Sequence, residues 1–178
     1  MRTLLALLLL TGTAWAETPR EHTDTLLSQL RTASTEEDAG EIEAQLRAAW
    51  TDAASPALRL LLVRGTRELT EGNVSAAFDS FDAVLDLDPE LLEGWRGRAQ
   101  ARLRLGDSAG ATHDILEVLR REPRHFAALE DLSRIAEARG DWKSALAAWQ
   151  KVLDADPHTE GARDRLRELR RRALGEST

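Results

Sequence analysis

The stretch LRLLLVRGTRELTEGNVSAAFDSFDAVLDLDPEL, residues 58–91, decides the fold because the sequence repeats its pattern twice more at a period of 34 residues. Three columns of the repeat are invariant, and they hold Gly72, Gly106 and Gly140; Ala77, Ala111 and Ala145; and Pro89, Pro123 and Pro157. A softer column of bulky residues holds Phe81, Ile115 and Trp149. No insertion is needed to keep the register. Residues 58–91, 92–125 and 126–159 are therefore predicted to be three copies of one structural unit.

The columns specify a pair of antiparallel helices. Each glycine is placed to end a first helix, where a residue in the left-handed conformation closes the last turn. The next residue, Asn73, Asp107 or Asp141, favours the N-cap of a second helix. The alanine column suits a close approach of two helices, with the bulky column one turn later on the same face. The proline ends the second helix, because the residue before a proline disfavours the helical conformation.

This pattern resembles the tetratricopeptide repeat (TPR), which has a large apolar residue at position 4, a small one at 8, glycine at 15, alanine at 20, an aromatic at 24 and proline at 32. Position 8 holds Gly65, Ala99 and Ser133, which are all small. The sequence departs from the family at position 7, where two repeats carry Arg64 and Arg98, and at position 11, which lacks the usual tyrosine. The resemblance covers residues 58–157. It implies an all-α fold, a right-handed α–α superhelix of three regular repeats.

Residues 17–54 read as a further helical hairpin. Thr18 to Glu21 form a capping box with proline at the first helical position, and Ser34 to Glu37 form a second box. The two helices carry apolar stripes at helical spacing: Leu26, Leu27 and Leu30 in the first, and Ile42, Leu46, Ala49 and Trp50 in the second. The 34-residue columns do not continue into this segment. We interpret it as a degenerate repeat that caps the N-terminal side of the array.

Residues 55–174 form the predicted TPR domain. Ser55 and Pro56 begin its first helix as N-cap and first helical residue. The apolar run that follows predicts a helix wedged between the N-terminal hairpin and the next repeat. A capping helix is expected over residues 159–174, with an inward face formed by Ala162, Leu166, Leu169 and Ala173.

Residues 1–16 have the layout of a secretory signal peptide. A short basic start is followed by the apolar run Leu4 to Leu10 and by the small-x-small sequence Ala14-Trp15-Ala16. We expect cleavage after Ala16 and a periplasmic or secreted mature protein without stable membrane insertion. The alternative is an uncleaved anchor, but the apolar run is much shorter than the roughly 20 residues that a spanning helix needs. Arginine far outnumbers lysine, which occurs only at Lys143 and Lys151, and this usage is typical of GC-rich bacteria.

Composition narrows the function classes. The chain of 178 residues has no cysteine, which excludes disulfides, thiolate nucleophiles and cysteine-ligated zinc. Its net charge of −7 argues against a nucleic acid partner, which would call for a basic stripe. No phosphate-binding loop, nucleophile elbow or calcium loop is present, so we expect no enzymatic activity, no cofactor and no metal. The four histidines are scattered (His22, His113, His125 and His158). We interpret His125 and His158 as surface loop residues; the alternative is a zinc or general-base role.

The resemblance implies a function through the concave face that the first helices of the repeats line. Its partner-facing positions correspond here to Arg59, Leu62, Thr66, Leu69, Glu93, Arg96, Gln100, Arg104, Glu130 and Arg134. The clamp by which chaperone-binding members hold a C-terminal carboxylate is absent, since its positions hold Leu62, Thr66, Gly97, Ala127 and Asp131. We predict a non-enzymatic adaptor that binds a peptide segment or helix of another exported protein. The alternative is a structural protein that self-associates through the apolar first helix of repeat one; the predicted state is monomeric or weakly associating.

Overall fold

A computed structural model describes residues 18–175, which form helices and no β-strand. The helices of this part of the chain are α1 (Pro19–Arg31), α2 (Glu36–Asp52), α3 (Pro56–Thr70), α4 (Val74–Leu87), α5 (Leu92–Arg104), α6 (Ser108–Arg121), α7 (Phe126–Ala138), α8 (Trp142–Ala155) and α9 (Ala162–Leu174). The predicted signal peptide, residues 1–16, lies outside the described residues. The all-α prediction is confirmed.

The pairs α3–α4, α5–α6 and α7–α8 are the hairpins that the 34-residue columns predict, and each packs most extensively within itself. Gly72, Gly106 and Gly140 end the first helices with φ of 81°, 85° and 71°, a region that favours glycine. Asp107 and Asp141 cap the second helices by accepting from the backbone N–H of Gly110 and of Ser144. Asn73 occupies the same position without a side-chain capping bond.

The bulky column fills the space that the small columns leave. Ala77, Ala111 and Ala145 are fully buried, and so is Ile115. The Phe81 ring lies between Gly65 of α3 and Gly97 of α5; a Cβ at Gly97 would lie 2.3 Å from its Cε1 atom, and one at Gly65 would lie 2.8 Å from its Cζ atom. Only glycine can fill these two positions while the ring stays in place. Gly97 in the second repeat therefore has no side chain, and the Phe81 ring of the first repeat fills the space where one would lie.

The ends of the array differ in detail from the sequence predictions. The last helix begins at Ala162, three residues later than expected, because Gly161 adopts a left-handed conformation with φ of 67°. The Thr18 capping box is present, with both reciprocal bonds to Glu21. At the second predicted capping box, the N-cap is Thr35, which accepts from the backbone N–H of Asp38 in a single capping bond.

The N-terminal hairpin forms, but its predicted place beside α3 is wrong. Helix α2 packs against α5, and α1 packs against α8. The apolar stripes of the hairpin are buried together with two residues of α7, Phe126 and Ala127. Because the hairpin lacks the small-residue columns through which repeats nest, its large apolar side chains pack instead over the first turns of the inner helices. Part of α3 is left uncovered, with Leu60 72% exposed and Val63, which borders the inner face, 63% exposed.

Candidate functional site: the inner face of the repeats

The open part of the inner face is a cavity between α3 and α5, bordered by the end of α2. Its volume is about 570 Å³. The walls are formed by Thr51, Leu62, Val63, Thr66, Arg67, Thr70, Phe81, Glu93, Arg96, Gly97 and Gln100. The structure thus brings together five of the ten predicted groove residues, namely Leu62, Thr66, Glu93, Arg96 and Gln100.

The polar wall of this cavity is an ion-pair network. Arg96 donates to Glu93 over 2.8 Å and to Asp131 over 3.0 Å. Gln100 donates to Asp131 over 3.0 Å, and Arg134 also pairs with Asp131. Burial acts to raise the pKa of the Glu93 carboxyl, but Arg96 and His125 outweigh it and lower that pKa to about 2. Two of the predicted groove cations, Arg96 and Arg134, are therefore paired with carboxylates of their own chain.

The network also buries one member of an acidic pair. Asp131 follows Glu130 in the sequence, and its side chain is only 4% exposed. The Arg96 guanidinium is occupied by two carboxylates of its own chain, so it holds the inner helices α5 and α7 together. Reversing its charge would place a third carboxylate beside Glu93 and Asp131, which makes Arg96 unsuitable as a test of partner binding.

Three other predicted groove residues connect elements instead of lining the cavity. Leu69 is buried in the core between the first two repeats. Arg104 donates to the Leu69 carbonyl oxygen, which bridges α5 to α3. Arg59 donates to the Ala54 carbonyl oxygen over 3.0 Å and lies 3.7 Å from the Asp52 carboxylate. Arg59 and Arg104 thus bind backbone groups that their own fold presents.

The hairpin covers the other half of the inner face. The Trp50 ring of α2 stacks on the His125 ring with centroids 3.7 Å apart and planes 14° apart, and its centroid lies 5.5 Å from that of Phe126. The Arg47 guanidinium lies over the Phe126 ring at 5.1 Å. Asp24 of α1 pairs with Arg124 in the α6–α7 connection.

His125 is a buried interface residue, so the prediction of a surface loop residue is wrong at this position. Its Nδ1 accepts from the backbone N–H of Ala128 and caps α7. Its Nε2 lies 3.4 Å from a Glu93 carboxylate oxygen. The signal in the sequence was its place immediately before the third repeat, where an N-cap is needed; the stacking partner, Trp50, lies 75 residues away and could not be read from that pattern.

A cluster of carboxyl groups lies where α2 meets the α8–α9 connection. Asp156 is fully buried, and its Oδ1 accepts from the backbone N–H of His158 over 3.1 Å. Burial and the adjacent Glu43 carboxyl raise the pKa of Asp156 to about 7. Burial also raises the pKa of Glu130, the remaining predicted groove carboxylate, which accepts from the Thr159 hydroxyl. Sequence reasoning did not single out Asp156 or Glu43.

Within residues 18–175 no set of three or more histidine, aspartate or glutamate side chains is arranged to hold a metal ion. The helices in the same part of the chain include none with the length and apolarity to cross a bilayer.

Comparison with known proteins supports the fold, since similar proteins contain the same repeat. A tetratricopeptide repeat family model matches residues 96–160. A TPR repeat-containing protein of Rhizobium etli is 30% identical over 163 residues, which cover 92% of this chain and 80% of that protein. The chaperone protein YscY of Yersinia enterocolitica is 31% identical over 100 residues, which cover 56% of this chain and 88% of YscY.

Among solved structures, the first TPR domain of Spaghetti (RPAP3) bound to the HSP90 peptide SRMEEVD has a TM-score of 0.63 and 23% sequence identity to this chain. The match covers 69% of this chain and 97% of that domain, and at this identity it shows the fold alone. The internal repeat, the helix pairs and the relative from Rhizobium etli agree. The chain belongs to the tetratricopeptide repeat family.

Proposed function

We propose that the protein is a non-enzymatic adaptor that binds a peptide segment or helix of another exported protein on its inner face. The observation that carries this proposal is the open cavity between α3 and α5, which has an apolar floor of Leu62 and Phe81 and a polar wall at Gln100. Apolar pockets with a few placed polar groups are the usual sites for anchoring side chains of a ligand. Binding of other proteins is the general role of TPR domains.

Two features of relatives support the same class of partner. YscY is named a chaperone, and the RPAP3 domain holds a peptide. The clamp positions for a terminal carboxylate hold Leu62, Thr66 and Gly97 in the cavity of this chain, and none of these is cationic. We therefore infer recognition of an internal segment through apolar side chains, by helix-in-groove or extended-peptide docking.

Export through cleavage after Ala16 belongs to this proposal. It rests on the order of basic start, apolar run and small-x-small site in the sequence. The mass of the protein purified from its native cell should correspond to a chain that begins at Glu17. A mass that retains residues 1–16 would contradict cleavage there.

Replacing Thr66 with arginine should weaken partner binding at least about tenfold, or about 1.4 kcal/mol. Thr66 is exposed at the cavity, and its hydroxyl bonds only within α3, to the Leu62 carbonyl oxygen. An arginine there fills the cavity and places a charge over its apolar floor. The matched control is Ser75→Arg, which makes the same charge change on the exposed face of α4.

The partner for this measurement is first trapped in cells by a photoreactive amino acid at position 70, which lines the cavity, and the crosslinked segment is then synthesised. Its affinity for the two arginine variants is measured by fluorescence anisotropy, and circular dichroism confirms that both remain helical. Equal affinities of the Thr66→Arg and Ser75→Arg variants would place the binding site elsewhere.

A second candidate function, self-association, is favoured by the uncovered side of α3. Leu60 and Val63 are exposed apolar side chains of that side, and Val63 also borders the inner-face cavity. Light scattering over a concentration series should then give a mass that rises above the monomer, and Leu60→Glu with Val63→Glu should restore the monomer. A monomeric wild type at all concentrations excludes this candidate and leaves the adaptor.

A further inference from the structure

One contact between the hairpin and the repeats is made by two carboxyl groups that face each other. Asp156 lies before the α8–α9 connection, and its Oδ2 is buried with no hydrogen-bond donor within reach. The neighbouring group is the Glu43 carboxyl of α2. Two ionised carboxylates cannot bond to one another, since each only accepts. This contact becomes a hydrogen bond when one of the two carboxyls holds a proton.

The surroundings supply a cation to Glu43 but none to Asp156. On α2, Arg47 is paired with Glu43 and lies over Phe126. On α7, Glu130 adds a further negative charge. Between α8 and α9, His158 contributes its backbone N–H to Asp156. Ala155, next to Asp156, lines a cavity with Arg31 of α1 and with Lys151 and Asp154 of α8. On the other side, a cavity lined by Pro157 and His158 also holds Glu36 of α2 and Arg163 and Asp164 of α9. No ion pair from a cation to Asp156 is formed within the described residues.

We propose that the α1–α2 hairpin is a pH-controlled cover of the inner face: a hydrogen bond from a protonated Asp156 to the Glu43 carboxylate holds it closed, and ionisation of Asp156 releases it. The proposal rests on the proposed function in one respect, since the uncovered surface would serve a partner. Release would expose Phe126, Ala127 and the His125 ring, which continue the inner face beyond the open cavity.

The sign of the pH dependence follows from the two states of Asp156. Its pKa is raised from the ordinary 3.8 to about 7 in the closed state, whereas an opened, hydrated carboxyl has the ordinary value. Between these values the closed form is protonated and the open form is ionised, so opening releases one proton. The closed state is thus most favoured at acid pH, loses stability as pH rises toward 7, and changes little above it. The opening equilibrium should rise by up to about tenfold per pH unit in that window.

The other attachments of the hairpin do not share this dependence. Hydrogen bonding and charge from Arg124 lower the pKa of Asp24, so that pair stays ionised throughout the window. His125 also lies beneath the hairpin, with Nδ1 accepting from Ala128 and Nε2 facing Glu93. A variant at Asp156 leaves His125 unchanged and therefore separates the two titratable contacts.

Hydrogen exchange of the full chain between pH 5 and pH 8 tests the proposal. Exchange rates are divided by the intrinsic rate at each pH. Protection of the α1 and α2 amides should then fall by up to about tenfold per unit to pH 7 and level off above it. Amides of α4, which does not contact the hairpin extensively, serve as the internal control. In Asp156→Asn, an amide oxygen can still accept from His158 and an amide N–H can donate to Glu43. This variant should therefore keep the hairpin protected at every pH.

Each outcome decides the question. Hairpin protection that is constant in the wild type overturns the proposal, and so does an Asp156→Asn variant that loses protection with pH as the wild type does. A fall that α4 shares reports unfolding of the repeats and also overturns it. No partner is present in this experiment, so a negative result leaves the adaptor proposal intact, and failure of the Thr66→Arg test leaves the pH-controlled cover intact.

Discussion

Replacing Phe81 with alanine should lower the free energy of unfolding by about 3–5 kcal/mol. The ring is 2% exposed and is enclosed by Gly65 on α3 and by Gly97 on α5. Neither glycine carries a side chain that could move into the space, so truncation leaves a cavity at the junction of two repeats. Against a total stability of about 5–15 kcal/mol for a typical domain, the loss is large. Urea unfolding followed by circular dichroism measures it through the linear dependence of stability on denaturant.

The control for this truncation is Phe78→Ala, one turn earlier on α4. Phe78 is partly buried, and its outer face meets the Arg102 guanidinium at 5.7 Å. Because Phe78 is only partly buried, its removal takes less apolar surface out of the core, so it should cost less than half as much as removal of Phe81. Equal losses for the two variants would show that the junction between the glycines collapses around the missing ring.

Replacing Asp114 with alanine should cost a similar amount, about 3–5 kcal/mol, by a different mechanism. The Asp114 carboxylate of α6 is fully buried and accepts from Arg98 over 2.9 and 3.0 Å and from Arg102 over 3.1 Å. Its loss leaves two guanidinium groups of α5 partly buried without this partner. Thermal and urea unfolding of the variant should show the loss.

Asp82→Ala is the matched control, because it removes another carboxylate from the same Arg98. Asp82 is 42% exposed, so water can replace it, and the expected cost is about 0–1 kcal/mol. If Asp114→Ala were as mild as this control, the ion pair would contribute little to the packing of α5 on α6. The two arginines would then relax toward solvent along the outer surface.

Phe81 and Asp114 differ in how far the sequence alone predicts their burial. Phe81 lies in a column that repeats every 34 residues, and the column itself predicts a buried, structural role. Asp114 has no such signature, since an aspartate on an outer helix usually faces water. Its burial depends on two arginines 12 and 16 residues earlier, placed on the facing helix by the tight turn at Gly106.

The same distinction explains the candidate site. Column positions correctly select the helices that line the inner face, and five of ten predicted groove residues meet in one cavity. Arg96, one of those ten residues, is paired within the chain, because it donates to Asp131, which lies 35 residues later in the sequence. Whether an arginine is available to a partner depends on the carboxylates around it in three dimensions, which a list of column positions does not contain.

The sequence alone determined the helix pairs, the glycine turns between them and the apolar faces, because these depend on residues within one turn or one repeat of each other. It also determined that α1 and α2 have apolar faces to bury. Only the tertiary structure decided where that burial occurs. The apolar faces pack over Phe126 of α7, which Trp50 of α2 contacts, instead of beside α3. An apolar stripe predicts that a helix face is buried, but it does not predict which surface covers that face. The covering surface depends on shape, on the short connection to α3 and on buried charge, which are defined only when the whole chain has folded.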